Sequence, residues 1–110
     1  MARARRQEML VCFCTCENSR AASKLAQALV KLKLAACVQI VPTIESWYEW
    51  QGKICKSKEA LLLIKTLANK KQALQRAIVA KHSYSVPEFV AVPVAAVLPK
   101  YQQWVEDVCR

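Results

Sequence analysis

Glycine is almost absent: the 110-residue chain has one, Gly52. An average protein carries about seven per hundred residues. Phosphate-cradling P-loops and dinucleotide fingerprints need several glycines at fixed spacing, and neither pattern occurs. A GxSxG nucleophile elbow is missing too. Small barrels that turn corners on glycine are disfavoured, so the chain should consist of long elements joined by few turns. Histidine is equally scarce, with His82 standing alone. One chain therefore cannot supply a multi-histidine metal cluster or a two-histidine mechanism. No CxxC pair is present, which argues against a zinc knuckle. The longest apolar stretches, such as Phe89–Leu98, reach ten residues. A bilayer-spanning helix needs about 20, so no transmembrane helix and no membrane partner is expected.

Acids are also few. Eight Asp or Glu stand against seventeen Lys or Arg, a formal net charge of +9. Residues 53–81 hold eight of the cations and one acid, Glu59. Such a stretch can attract nucleic acid, phosphorylated ligands or acidic surfaces. No nucleic-acid motif accompanies it. A solvated face with lysine-protected strand edges is the reading preferred here.

What is present is apolar and periodic. Hydrophobic residues make up 55% of the chain, which excludes disorder. The basic start, Met1–Glu8, reads as a flexible tail. The apolar run that follows it is short and meets Glu17, Asn18, Ser19 and Arg20 without a cleavage pattern. Residues 9–110 read as one domain. Met9–Cys16 alternates Cys12, Cys14 and Cys16 on one face with Met9, Val11, Phe13 and Thr15 on the other. Both faces are apolar, as in a central strand. Asn18 or Ser19 caps a helix of about fifteen residues, in which Ala22, Leu25, Ala26, Leu29 and Leu32 share a face.

Ala35–Thr43 begins a second strand, with Pro42 marking an edge or bulge. Ile44–Trp50 extends it, Gln51-Gly52 turns, and Ile54–Thr66 returns as a third strand. Asn69 can cap a second helix, which His82–Pro87 breaks. Phe89–Leu98 forms a fourth strand, and Pro99 starts a last helix over Lys100–Cys109. The β-α-β-β-α-β order is the ferredoxin-like arrangement, an α+β fold with an antiparallel sheet. A long hairpin and an extra C-terminal helix are its additions.

Each hairpin strand can run about 50 Å, which overhangs a domain with a radius of gyration near 13 Å. The overhang carries Trp47, Tyr48 and Trp50. Exposed aromatics on an open hairpin, and a second sheet face without helices, imply a closed homo-oligomer.

Three groups could carry chemistry. Cys14 or Cys16 with His82 could hold a soft ion such as Cu(I) at low coordination. A flat row of three strand cysteines cannot close a tetrahedron by itself. Lys65 stands inside the apolar run Leu61–Thr66, where Glu59, Glu88 or an anionic ligand could pair with it. A Cys–His nucleophile lacks an orienting third member, so no enzyme is expected. Reduced thiols place the protein in the cytoplasm.

Several separated motifs resemble the CutA family of divalent-cation tolerance proteins. They are Leu34-Ala-Ala-Cys-Val38, Ser46-x-Tyr48-x-Trp50-x-Gly52-Lys53, Glu59 with Leu63-Ile-Lys-Thr66, and His82-x-Tyr84-x-Val86-Pro87-Glu88. Tyr101 and Trp104 complete the set. The resemblance implies a tight homotrimer, similar in architecture to PII-type signalling proteins. It also implies a role in tolerance to copper and other divalent metals. By that resemblance copper is held by Cys14 and His82, with Cys16 the less favoured thiol. Lys81 stands where some members have a second histidine. A ligand cleft between subunits would lie near Glu59, Lys65, His82 and Tyr84. The alternative function is a signalling or scaffold module binding an anionic small molecule or a protein in that cleft.

Overall fold

The computed structural model describes residues 7–110. The expected tail, residues 1–8, lies outside the described residues as far as position 6. Its last two residues are tied down. The Gln7 carbonyl accepts the Gln102 side-chain amide at 2.9 Å, and the Glu8 carbonyl accepts the Ala68 N–H at 2.8 Å.

Strand β1 is Met9–Cys16. Helix α1 is Ser19–Lys31, and Asn18 caps it by accepting the Ala21 N–H at 2.8 Å. The helix ends without glycine. Lys33 takes a φ of 59°, its N–H bonds the Val30 carbonyl, and the Leu34 N–H bonds the Leu29 carbonyl. Those two bonds are the Schellman pattern, with a lysine at the left-handed position that glycine usually fills.

Strands β2 (Cys37–Trp50) and β3 (Lys53–Leu67) form the long hairpin. Gln51 and Gly52 both have positive φ, 51° and 79°. That is the type I′ geometry whose twist matches the flanking strands. Pro42 sits in a bulge, as expected. Val41 pairs with Leu61 and Ile44 with Glu59, so Pro42 and Thr43 together oppose Ala60. The extra residue leaves the proline without a ladder bond to donate. It also reverses the pleat: beyond the bulge, even-numbered β2 residues share a face with odd-numbered β3 residues.

Helix α2 is Lys71–Lys81, preceded by a 3-10 turn over Ala68–Lys70. Asn69 is therefore not its cap. Lys70 holds that position and makes no side-chain capping bond. Strand β4 is Val90–Pro93, four residues rather than the expected ten. Pairing with β1 ends one bond beyond Pro93, where the Val94 N–H meets the Met9 carbonyl at 3.0 Å. Val94 and Val97 pack instead against the cluster around Met9, Leu67 and Val105. Helix α3 is Pro99–Val108, with proline in its first turn.

The four strands form one antiparallel sheet in the order β2-β3-β1-β4. This is the expected ferredoxin-like order, with β1 central. Cys12, Cys14 and Cys16 pack with Leu62 and Ile64 against Leu25 and Leu29 of α1 and Leu74 and Ile78 of α2. These side chains exclude water, and each large one contributes roughly 1.5–3 kcal/mol. On the opposite face α3 covers the Met9–Leu67 end. Val11, Phe13, Leu61 and Leu63 remain only half-buried there.

The hairpin overhangs as expected. The molecule measures 58 × 25 × 22 Å, and its radius of gyration is 15.3 Å. Trp47 is 64% exposed and Ile54 80%. Among the described residues, no helix is long and apolar enough to cross a membrane.

Candidate functional site

The end of β1, the start of α1 and the loop after α2 meet at one corner of the core. His82 is the residue that joins them. Its backbone N–H closes α2 on the Ile78 carbonyl at 2.9 Å. Its ring then turns back toward β1. Nδ1 accepts the Tyr84 N–H at 3.1 Å, which leaves the ring proton on Nε2. Nε2 donates it to the Thr15 carbonyl at 2.7 Å. The same Nε2 lies 3.9 Å from the sulfur of Cys16.

The two candidate thiols thus differ in surroundings. Cys14 is fully buried in the helix-covered core, and its S–H lies on the Thr15 carbonyl at 3.8 Å. Cys16 stands one pleat further on, beside His82, and lines a cavity of about 420 Å³. Lys24, Lys81 and Glu17 line it too. Coupling between the thiols pushes Cys14 well above the ordinary thiol range, with burial adding to it. Interaction with the neighbouring Cys14 thiol holds Cys16 below the ordinary value, against its own burial. The more acidic thiol is the one beside the imidazole.

One thiol and one imidazole make a donor set for a soft ion at low coordination. The 3.9 Å separation is close to the sum of typical metal–sulfur and metal–nitrogen lengths, about 2.3 and 2.0 Å. Among the described residues, no group of three or more His, Cys, Asp or Glu could hold a metal ion. A tetrahedral zinc centre or a hard-ion cage does not fit one chain.

Beyond His82 the loop passes to the other face of the sheet. Tyr84 stacks at a tilt on His82, with 4.6 Å between ring centroids. Its hydroxyl donates to Glu59 Oε2 at 2.8 Å. Burial pushes the Tyr84 phenol up, and the Glu59 carboxylate adds to the effect. Here the loop and the hairpin enclose a second cavity of about 700 Å³, where Glu59 and Tyr84 meet Tyr48, Trp50 and Glu88. The sequence offered Glu88 as a possible partner for Lys65 and as the end of the Val86-Pro87-Glu88 motif, not as a neighbour of Tyr48 and Trp50. The bulge in β2 is what puts Tyr48 and Trp50 on the Glu59 side.

Lys65 does not join this group. Six residues along β3 from Glu59, it lies about 20 Å away at strand spacing. No carboxylate pairs with it among the described residues. Its Nζ donates to Gln39 Oε1 at 2.6 Å and stands 5.9 Å over the Tyr101 ring. Trp47 faces the other side of the hairpin, with Lys56 Nζ 5.4 Å over its ring.

The fold and the site together define a class: an α+β protein with a four-stranded antiparallel sheet, an overhanging hairpin, and a thiol–imidazole corner at the end of the first strand. A sequence model described as "CutA1 divalent ion tolerance protein" matches residues 10–108. The chain belongs to the CutA1 divalent ion tolerance family. It is 44% identical over 101 residues to the chloroplastic protein CutA of Arabidopsis thaliana. That match covers 92% of this chain and 56% of the plant protein, so the chain spans little more than half of that relative. Identity to the divalent-cation tolerance protein CutA of Thermus thermophilus is 40% over 97 residues, covering 88% of this chain and 94% of the relative. The crystal structure of CutA1 from Oryza sativa superposes with a TM-score of 0.93 at 40% identity, over 96% of each chain. The family is named for tolerance to divalent ions, not for a catalysed reaction.

Proposed function

We propose that this protein is a non-enzymatic, cytoplasmic homotrimer that serves metal tolerance by binding copper as Cu(I) between Cys16 and His82. The observation that carries the site is the 3.9 Å approach of His82 Nε2 to Cys16 Sγ. Sulfur and imidazole are donors that suit a soft monovalent ion. Cys14, the thiol first expected, is the reserve ligand on the neighbouring pleat. Binding has a cost: Nε2 must give up its proton and its bond to the Thr15 carbonyl. The trimer reading rests on the overhanging hairpin and on the half-buried Val11, Phe13, Leu61 and Leu63. Residues 9–110 act as one unit in it. Six free thiols suit a reducing compartment.

The test is a Cu(I) titration of reduced protein, with its native mass measured, beside Cys14→Ala, Cys16→Ala and His82→Ala. Loss of binding in the Cys16 and His82 variants, with Cys14→Ala unaffected and a mass of three chains, supports the reading. Unchanged stoichiometry and affinity in all three sinks the metal site.

A further inference from the structure

The helix layer carries charge of one sign. Arg20, Lys24 and Lys31 stand on α1 and Lys71, Arg76 and Lys81 on α2. All six are exposed, and neither helix contains an acid. Among the described residues none of the six pairs with a carboxylate. Glu17 shares a cavity with Lys24 and Lys81, but its hydrogen bond goes to the Ser83 hydroxyl at 2.7 Å. Glu45, Glu49 and Glu59 lie on the hairpin, and Glu106 and Asp107 on α3, across the sheet. The fold thus divides the cationic stretch 53–81, and its second half joins α1 in one face. The two helices pack side by side over the same sheet face. At 1.5 Å per helical residue, each row of charge is about 15 Å long. The proposed oligomer leaves this layer bare, because its contacts lie on the opposite sheet face and the outer hairpin.

We propose that the helix layer binds a linear inorganic polyphosphate chain. Cations with no acid between them attract a polyanion, and each phosphate contact releases a counterion. Single exposed contacts are weak, so the ligand must span many at once, which suits a polymer rather than a lone phosphate. Nucleic acid offers similar charge, but single strands also stack their bases on aromatic side chains. Neither α1 nor α2 carries an aromatic residue. An anionic membrane is flat. The proposed trimer, on which this step rests, turns its three helix layers outward in different directions. A flat surface meets one layer at a time, whereas a flexible chain passes from one to the next. The site goes beyond copper binding and uses neither Cys16 nor His82.

The experiment is titration of the intact, reduced protein with end-labelled long-chain polyphosphate, read by fluorescence anisotropy at about 50 to 200 mM salt, with the native mass measured in parallel. Saturable binding is expected, with log K falling against log salt at a slope near −4, about 0.7 for each of six cations. Tripolyphosphate, poly(U) and phosphatidylserine vesicles, compared at equal phosphate, should each bind at least tenfold more weakly. Lys24→Glu with Arg76→Glu should weaken polyphosphate binding at least tenfold. Lys100→Glu with Arg110→Glu makes the same change in net charge at the two ends of α3, and should weaken it less than threefold. Cys16→Ala should retain polyphosphate binding, so the copper site and this surface fail independently. Equal losses in the two double variants, in protein with a mass of three chains, overturn the polyphosphate site while the trimer stands. Binding of poly(U) or vesicles as tight as that of polyphosphate overturns it as well. A native mass of one chain overturns the trimer, and with it the preference for a flexible chain over a flat surface.

Discussion

His82 Nε2 lies 3.9 Å from the sulfur of Cys16 while donating to a backbone carbonyl of the same strand. The imidazole is therefore a structural staple before it is anything else. It joins the end of β1 to the loop that leaves α2. His82→Ala leaves the Thr15 carbonyl and the Tyr84 N–H without their partner. Each lost bond costs about 1 kcal/mol, so a loss of roughly 1–3 kcal/mol in denaturant unfolding is expected. Amide exchange at Tyr84 should accelerate in the variant. Copper should have the same local effect in the parent protein, because a metal on Nε2 moves the ring proton to Nδ1, which then cannot accept the Tyr84 N–H. Exchange at Tyr84 that stays slow in the variant and in copper-loaded protein would show that the ring does not hold the loop.

Cys12 gives the core a pH dependence. Its side chain is fully buried, and burial pushes the thiol from 9.0 up to about 11, against a smaller opposing pull from Lys71. Below pH 9 the thiol is neutral in both folded and unfolded chains. Between pH 9 and about 11 the unfolded chain ionises and the folded one does not. Stability therefore falls as pH rises through that window, by about 2–3 kcal/mol from this group. The measurement is urea unfolding at a series of pH values in reductant. Cys12→Ala starts less stable but should show a shallower fall. An identical slope would assign the alkaline loss to other groups.

Much of this architecture was legible in the residues. Asn18 capped where expected, the Gln51-Gly52 turn formed, and Pro42 marked the bulge. These are local signals in which a side chain's own geometry dictates the backbone. The failures came where distant packing overrode local pattern. Phe89–Leu98 is apolar throughout, and nothing in its periodicity shows that the strand would end at Pro93, with Val94 and Val97 packed on the cluster of Met9, Leu67 and Val105. Lys65 looked like a site residue because an ammonium inside an apolar run demands a partner. The partner is Gln39, set opposite Leu63 by strand register, which no local pattern reveals. Which of the two thiols stands beside His82 was equally hidden. It depends on which pleat the loop after α2 reaches.

The scarcity of glycine has a measurable price at Lys33. A side chain at φ 59° costs about 1 kcal/mol relative to glycine. The flanking Schellman bonds use backbone atoms alone, so replacing the residue leaves them intact. Lys33→Gly should raise stability by about 0.5–1 kcal/mol, less the entropy glycine adds to the unfolded chain. Gln51→Asn should act in the same direction at the hairpin turn, since asparagine tolerates the left-handed region better. Thermal unfolding of both variants decides this, and a lowered midpoint in Lys33→Gly would show that the lysine side chain contributes something the backbone account omits.

The bulge at Pro42 and Thr43 determines what the outer hairpin presents. Because two β2 residues oppose Ala60, Tyr48 and Trp50 lie on the Glu59 face and Trp47 lies with Lys56 on the other. Deleting Thr43 leaves Pro42 alone opposite Ala60, and every residue from Ile44 outward keeps its present partner and face. Tyr48 should keep its bond to Ser57 and Trp47 its place beside Lys56. What the deletion removes is the local bend and the added twist of the bulge. Far-UV circular dichroism should keep its native shape, and the native mass should stay that of the parent. A mass that falls toward one chain would show that the bend at Pro42, and not the choice of aromatics alone, aims the hairpin at its oligomer contacts.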